Sequence, residues 1–127
     1  MKKVNLTYIV DDDKIFIFVL KKLLVKNESF DQVLDFKNGE EVIKMLSDKN
    51  NILPSIILLD INMPVIDGWQ FLEQIEKLPN KNKLNIFIMS SSIDKNDIEK
   101  SKSFSTVKDF ISKPINNDKL NKLIENI

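Results

Sequence analysis

The sequence predicts an α/β protein, with one mostly parallel sheet and helices covering both of its faces. Three features lead there. Strand-like and helix-like segments alternate five times along 127 residues with short connections, as β–α crossover units do. Two of the strand-like runs, "SIILLD" (55–60) and "NIFIMS" (85–90), are continuously apolar, the mark of strands buried on both faces. A chain of this length, 43% hydrophobic and 30% charged, suits one ordered domain with one core and leaves no room for a second, so residues 1–127 are expected to form a single domain without an output domain.

The elements follow in order. "VNLTYIV" (4–10) is rich in β-branched and aromatic residues and reads as a strand. "KIFIFVLKKLLVK" (14–26) reads as a helix that is apolar around most of its circumference, so part of it is expected at the surface. "FDQVLDF" (30–36) alternates as a strand. "EEVIKMLSDK" (40–49) is a helix, with Asn38 as its N-cap and Glu41 as the capping-box partner. After the 55–60 strand, "DGWQFLEQIEKL" (67–78) puts Phe71, Leu72, Ile75 and Leu78 on one helical face. The 85–90 strand precedes a weak, polar helix over 94–104. "VKDFIS" (107–112) is the fifth strand, and "NNDKLNKLIENI" (116–127) spaces Leu120, Leu123, Ile124 and Ile127 as a helix does.

Composition removes several functions. Nineteen basic and nineteen acidic residues cancel, which leaves no electrostatic footprint for nucleic acid or an anionic membrane. Every basic residue is Lys, a poorer bidentate clamp than Arg. Without Cys there are no disulfides or thiolate metal sites. Without His there is no Ser-His-Asp catalysis, zinc–histidine site or phosphohistidine within the chain. "IFIFVLKKLLV" is too short to span a bilayer and carries two Lys, and no secretion signal is visible, so a cytoplasmic location is expected.

Ligands of open α/β sheets sit beyond the carboxyl ends of the strands. Those ends carry Asp11-Asp12-Asp13 on the first strand, Asp60 on the third, Ser90-Ser91-Ser92 on the fourth and Ser112-Lys113-Pro114 on the fifth. If these strands are neighbours, one rim collects acids, hydroxyls and a Lys. Clustered carboxylates repel unless a cation joins them, and a hard divalent ion such as magnesium suits a few carboxylates plus phosphate oxygens. Such a metal leaves a carboxylate free to attack phosphorus in line and become an acyl phosphate, with Lys and Ser available to hold the phosphoryl oxygens.

"LLDINMPVIDGW" (58–69) is close to a D-x-x-M-P-x-x-D-G signature, and over essentially its whole length the chain resembles the response-regulator receiver domain, the CheY-like phosphoacceptor of two-component signalling. The resemblance implies a flavodoxin/CheY-like five-stranded parallel sheet of order 2-1-3-4-5. It makes Asp60 the phosphoacceptor. Asp11 and Asp12 match the acidic pair that binds magnesium or manganese together with Asp60, and Asn62 matches the residue whose backbone carbonyl also ligates the metal. Ser90 matches the switch hydroxyl, Phe110 the rotameric aromatic, and Lys113 the family's lysine, followed by its usual cis-proline, Pro114. Asn62 and Ser92 sit where the family tunes the lifetime of the phosphoryl group. Phe110 stands where Tyr is commoner, so a switch there works by packing alone. Ser91 and Trp69 also depart from the family's more frequent Ala and Met. The implied partners are a histidine kinase or histidine phosphotransfer protein and a downstream protein that reads the change. No turnover of a separate substrate is expected beyond autodephosphorylation, and the chain is expected to be a monomer or weak dimer.

Plainer roles compete at several positions. Asp13 and Asp67 read better as helix N-caps than as ligands, with Gly68 easing a turn. Met63 and Pro64 shape the loop after Asp60. Trp69 and Phe71 are packing residues. The first helix is either core with scattered surface apolar residues or a docking face for a kinase or phosphotransferase. Two other functions fit the architecture poorly. A haloacid-dehalogenase-like phosphatase needs a second Asp two residues after its nucleophile, where this chain has Asn62, which cannot transfer the proton. A flavodoxin-like FMN binder needs a phosphate loop after the first strand, where this chain has three Asp.

Overall fold

The computed structural model describes residues 3–63, 67–91 and 94–127. Its elements run β1 (Val4–Val10), α1 (Lys14–Lys26), β2 (Phe30–Phe36), α2 (Gly39–Ser47), β3 (Ile56–Asp60), α3 (Gly68–Ile75), a 3₁₀ turn at Lys81–Lys83, β4 (Ile86–Ser90), α4 (Lys95–Ser101), β5 (Val107–Ser112) and α5 (Asn117–Glu125). The five strands form one sheet in the order β2-β1-β3-β4-β5, and each neighbouring pair is parallel.

Side-chain alternation divides the core between the two faces of that sheet. Leu6, Tyr8 and Val10 of β1, Ile57 and Leu59 of β3, and Ile86 and Ile88 of β4 meet Val42 and Leu46 of α2 and Phe71, Leu72 and Ile75 of α3. The alternate residues Ile9, Ile56 and Leu58, and Phe87 and Met89, joined by Val4 at the start of β1, meet Ile17, Leu20 and Leu24 of α1 and Leu120, Leu123 and Ile124 of α5. Every residue of β3 and β4 is buried, which explains their unbroken apolar sequence. The edge strands β2 and β5 are only partly covered and carry Asp, Gln, Lys and Ser.

Four helices end sooner than their sequence pattern indicates, α5 by the least, stopping at Glu125 rather than at 127. α3 stops at Ile75 rather than at 78. Lys77 and Leu78 close tighter i−3 bonds to Gln74 and Ile75, and Pro79 cannot continue the helix, although Leu78 still packs against the core. α2 ends at Ser47 because Asp48 folds into its own turn and accepts the Asn50 N–H at 2.9 Å. α4 ends at Ser101 instead of 104. The Ser101 and Ser103 hydroxyls donate back to the Ile98 and Lys100 carbonyls there, and Phe104 turns in to stack on Trp69. The capping box falls elsewhere than expected. Asn38 accepts from the Glu41 N–H without a reciprocal bond, whereas Asp67 and Gln70 close a full box at α3.

Candidate functional site

Parallel pairing brings the carboxyl ends of β1, β3, β4 and β5 side by side, and the chain's chemistry lies along that rim. Asp11 follows β1 and is fully buried; its Oδ1 accepts the Asp13 N–H at 2.9 Å. Asp13 in turn caps α1, accepting from the N–H groups of Ile15 and Phe16 at 3.0 and 3.1 Å. Asp60 closes β3 and is 6% exposed; its Oδ1 accepts the Asn62 N–H at 3.0 Å, which fixes the carboxylate plane. Asp12 is exposed. One carboxylate oxygen from each of Asp11, Asp12 and Asp60 lies within 4.8 Å of the others.

Lys113 comes to this trio from the end of β5. Its Nζ donates to Asp11 Oδ2 at 3.0 Å, lies 3.8 Å from Asp60 Oδ2, and stands 4.2 Å above the centre of the Phe16 ring. Its backbone is fixed from two sides. The Lys113 N–H donates to the Ser90 carbonyl at 2.9 Å. Lys119, on the first turn of α5, donates to the Ser112 carbonyl and hydroxyl and to the Pro114 carbonyl at 2.8–2.9 Å, which ties down the cis Lys113–Pro114 bond. Neither Phe16 nor Lys119 stands out in the sequence as a site residue. The sequence signal for Phe16 is its placement about one helical turn after an acidic strand end.

Burial pushes the Asp60 carboxyl above its ordinary value. The Asn62 N–H pulls it down, Asp11 pushes it up, Lys113 pulls it down and Asp12 pushes it up, and the balance stays on the raised side. Three carboxylates thus face one ammonium, with too little positive charge to offset them. The donors are all hard oxygens, and Asp12 opens the group to solvent, so the residues fit a hard divalent cation.

The other predicted positions fall around this centre. Ser90 is buried at the end of β4, next in the sheet to Ser112. Phe110 is half-buried on β5 opposite Ile88 and packs on the α2–α3 side of the core. Gly68 has a different role from easing a turn, because no glycine has positive φ. Its N–H donates to the Ile61 carbonyl at 3.0 Å, and a Cβ there would sit 2.5 Å from the Ile61 Cα. The residue is therefore needed for close approach of α3 to the loop after Asp60. Asp67 is the α3 cap. Phe71 is core, and Trp69 is half-buried against Phe104 with the Lys100 ammonium 4.8 Å over its ring. Pro64 and Ser92 lie outside the described residues. On α1, Ile15, Phe18, Val19 and Val25 are 59–78% exposed, so one side of that helix carries an apolar surface.

Comparison with known proteins settles the family. The response regulator receiver domain model matches residues 7–125, nearly the whole chain and every residue of the rim described above. The chain belongs to the response regulator receiver domain family. A chemotaxis protein CheY from Listeria monocytogenes is 31% identical over 120 residues, covering 94% of this chain and 96% of the relative. Among solved structures, a two-component response regulator from Cytophaga hutchinsonii superposes with a TM-score of 0.87 at 28% identity, covering 98% of this chain and 96% of that one. A response regulator receiver protein from Dyadobacter fermentans gives 0.84 at 29% identity, covering 95% of each. The receiver fold of order 2-1-3-4-5 is thus shared. Among the described residues, no helix of this receiver domain is long and apolar enough to cross a membrane.

Proposed function

We propose that this receiver domain is a phosphoacceptor of a two-component or phosphorelay system, with Asp60 as the acceptor. The observation that carries this is the Asp11–Asp12–Asp60 group, gathered within 4.8 Å from the ends of β1 and β3 and met by Lys113 from a third strand end, that of β5. Asp11, Asp12 and Asp60, with the Asn62 carbonyl, are the residues that would hold magnesium or manganese. Bound there, such a cation supplies charge neutralisation and orientation for a phosphoryl group. The chain's own part is plain. Asn62 fixes the Asp60 carboxylate through its N–H, and burial excludes water from one side of it. An Asp60 oxygen bonds to phosphorus as the P–N bond of a partner's phosphohistidine breaks. The electron pair leaves on the imidazole nitrogen, which takes up a proton. The Lys113 ammonium stands beside Asp60 to receive a phosphoryl oxygen, and the Ser90 hydroxyl is the switch donor. Phe110 repacks with that switch, and a partner protein reads the changed face of α4, β5 and α5. The donor is a histidine kinase or histidine phosphotransfer protein, and water attack on phosphorus later restores Asp60.

Intact-protein mass after incubation with acetyl phosphate tests the reading, with and without magnesium, on wild type and Asp60→Asn. A magnesium-dependent gain of one phosphoryl group, lost in the variant, is expected. A gain that survives in Asp60→Asn would move the acceptor elsewhere, and no gain in wild type would end the proposal.

A further inference from the structure

We propose that Phe16 is a positioning residue for Lys113: its ring holds the ammonium beside Asp60 through a contact that stays constant while the charges around it change. This rests on Asp60 being the phosphoacceptor.

Lys113 has a flexible four-carbon stem ending in a compact charge, so its place depends on what holds the tip. Three groups do. Two are carboxylates, Asp11 at 3.0 Å and Asp60 at 3.8 Å. Both weaken as holders when the site is used. A divalent cation competes for both carboxylates, and phosphorylation converts Asp60 into an ester-like carbonyl. The third is the Phe16 ring, whose centre lies 4.2 Å from Nζ, inside the ~6 Å range of cation–π attraction. A ring quadrupole has no proton to gain and no metal to bind, so its hold is the same in every state of the site.

The ring is itself fixed to the same acids. Phe16 lies in the first turn of α1, its N–H bonded to the Asp13 cap, and the Asp13 N–H is bonded to Asp11. Asp11, Asp13, Phe16 and Lys113 therefore form a closed circuit of contacts, and the helix start cannot shift without shifting the ammonium. The other phenylalanine–lysine contact on α1, Phe18 with Lys22, lies one turn apart on the exposed side of the helix and reaches no acid of the site. Phe16 also packs on the α1–α5 side of the core, so the test must separate ring from volume.

Phe16→Leu keeps an apolar side chain without the ring, and Phe16→Tyr keeps the ring. With acetyl phosphate and saturating magnesium, Phe16→Leu is expected to lower the maximal phosphorylation rate about fivefold, the order that a cation–π contact of this kind supports. The half-saturating magnesium concentration should stay within about twofold of wild type, the margin expected of a ring that is not a ligand, and Phe16→Tyr should recover most of the rate. A wild-type rate in Phe16→Leu, or an equal loss in Leu and Tyr variants, overturns the proposal. A second readout needs neither phosphate nor metal. Phe16→Leu should lower the urea midpoint more in the wild-type chain than in Lys113→Met, and additive losses would show that ring and ammonium are uncoupled. If wild type gains no phosphoryl group, the phosphoacceptor reading fails by itself, and this cycle still decides whether Phe16 holds Lys113.

Discussion

Two carboxylates at opposite ends of the sheet show how surroundings leave one acid under-compensated and another clamped. Asp60 stands at the carboxyl rim and Glu76 at the amino rim, just past α3, and each lies within 4 Å of a lysine ammonium. Burial pushes both upward. At Glu76, bonds from the Lys81 ammonium, the Thr106 N–H and the Ser105 N–H and hydroxyl outweigh burial and leave the carboxyl below its ordinary value. At Asp60, one backbone bond and a more distant lysine face burial plus two other acids, and the carboxyl stays raised. The amino rim uses its acid as a clamp joining α3 to the segment before β5. The carboxyl rim holds its acid under-compensated, which is a cost to the fold and, on the proposed function, the condition for taking up a cation and a phosphoryl group.

The largest expected effect breaks the carboxyl rim by shape alone. Gly68→Ala places a Cβ 2.5 Å from the Ile61 Cα, backbone that cannot swing aside. Overpacking of this kind should cost about 2–3 kcal/mol in urea unfolding. The loop that carries Asp60 and Asn62 must shift with it, so magnesium affinity should fall as well. Unchanged stability would mean that α3 does not depend on this close approach.

Charge tests come next, and they should have opposite signs. In magnesium-free buffer at pH 7, Asp60→Asn should stabilise the protein by about 1–2 kcal/mol, because it removes one of three crowded carboxylates. Saturating magnesium should reverse that order, since a cation at about 100 times its Kd adds ~2.7 kcal/mol to the chain that binds it. Glu76→Gln should instead destabilise by about 1–2 kcal/mol, the worth of charge-assisted bonds lost at a partly buried site. Their pH dependences differ too. Asp60 binds its proton more tightly folded than unfolded, so its contribution is present at low pH and is lost as pH rises from about the ordinary 3.8 through its raised folded value. Glu76 binds its proton less tightly folded, so its contribution is present above 4.5 and is lost as pH falls through its lowered folded value. Urea midpoints for wild type and both variants from pH 3 to 7 would show it. Parallel pH curves for the two variants would erase the distinction between the rims.

The same contrast explains how much of the molecule was legible in its sequence. Strands, their order of burial and the acids at their ends are local or periodic properties, so the rim holding Asp11, Asp12, Asp60 and Lys113 could be read from strand ends once the sheet was expected. The Glu76 clamp could not. Its partners Ser105 and Thr106 are about thirty residues away, and nothing in "QIEKL" marks Glu76 as different from Glu73. Asn27 is similar. It reads as an ordinary helix terminator, yet its Nδ2 bonds Asn117 and Asn121 and ties α1 to α5. Gly68 reads in the sequence as a turn residue, whereas the structure needs it for a close contact with Ile61. The α2 and α4 ends fall short of the periodic pattern where Asp and Ser side chains take over backbone bonds, a competition that periodicity does not record.

The smallest effect is the most discriminating control. Lys113–Asp11, Lys81–Glu76 and Lys102–Glu99 are three lysine–carboxylate contacts of almost equal length, 3.0, 3.1 and 3.0 Å. They differ in surroundings. Asp11 is fully buried and the Glu76 side chain is 20% exposed, whereas Lys102 and Glu99 are 64% and 72% exposed and one helical turn apart. In water such a pair gains little and is screened by salt, so Lys102→Ala should change stability by no more than about 0.5 kcal/mol. Whatever change it makes should vanish at high salt. The Glu76→Gln loss should persist there, because its bonds are held by backbone donors and partly shielded from ions. If salt removed both alike, the amino-rim clamp would be a surface ion pair, and only burial beside other acids would still set Asp60 apart.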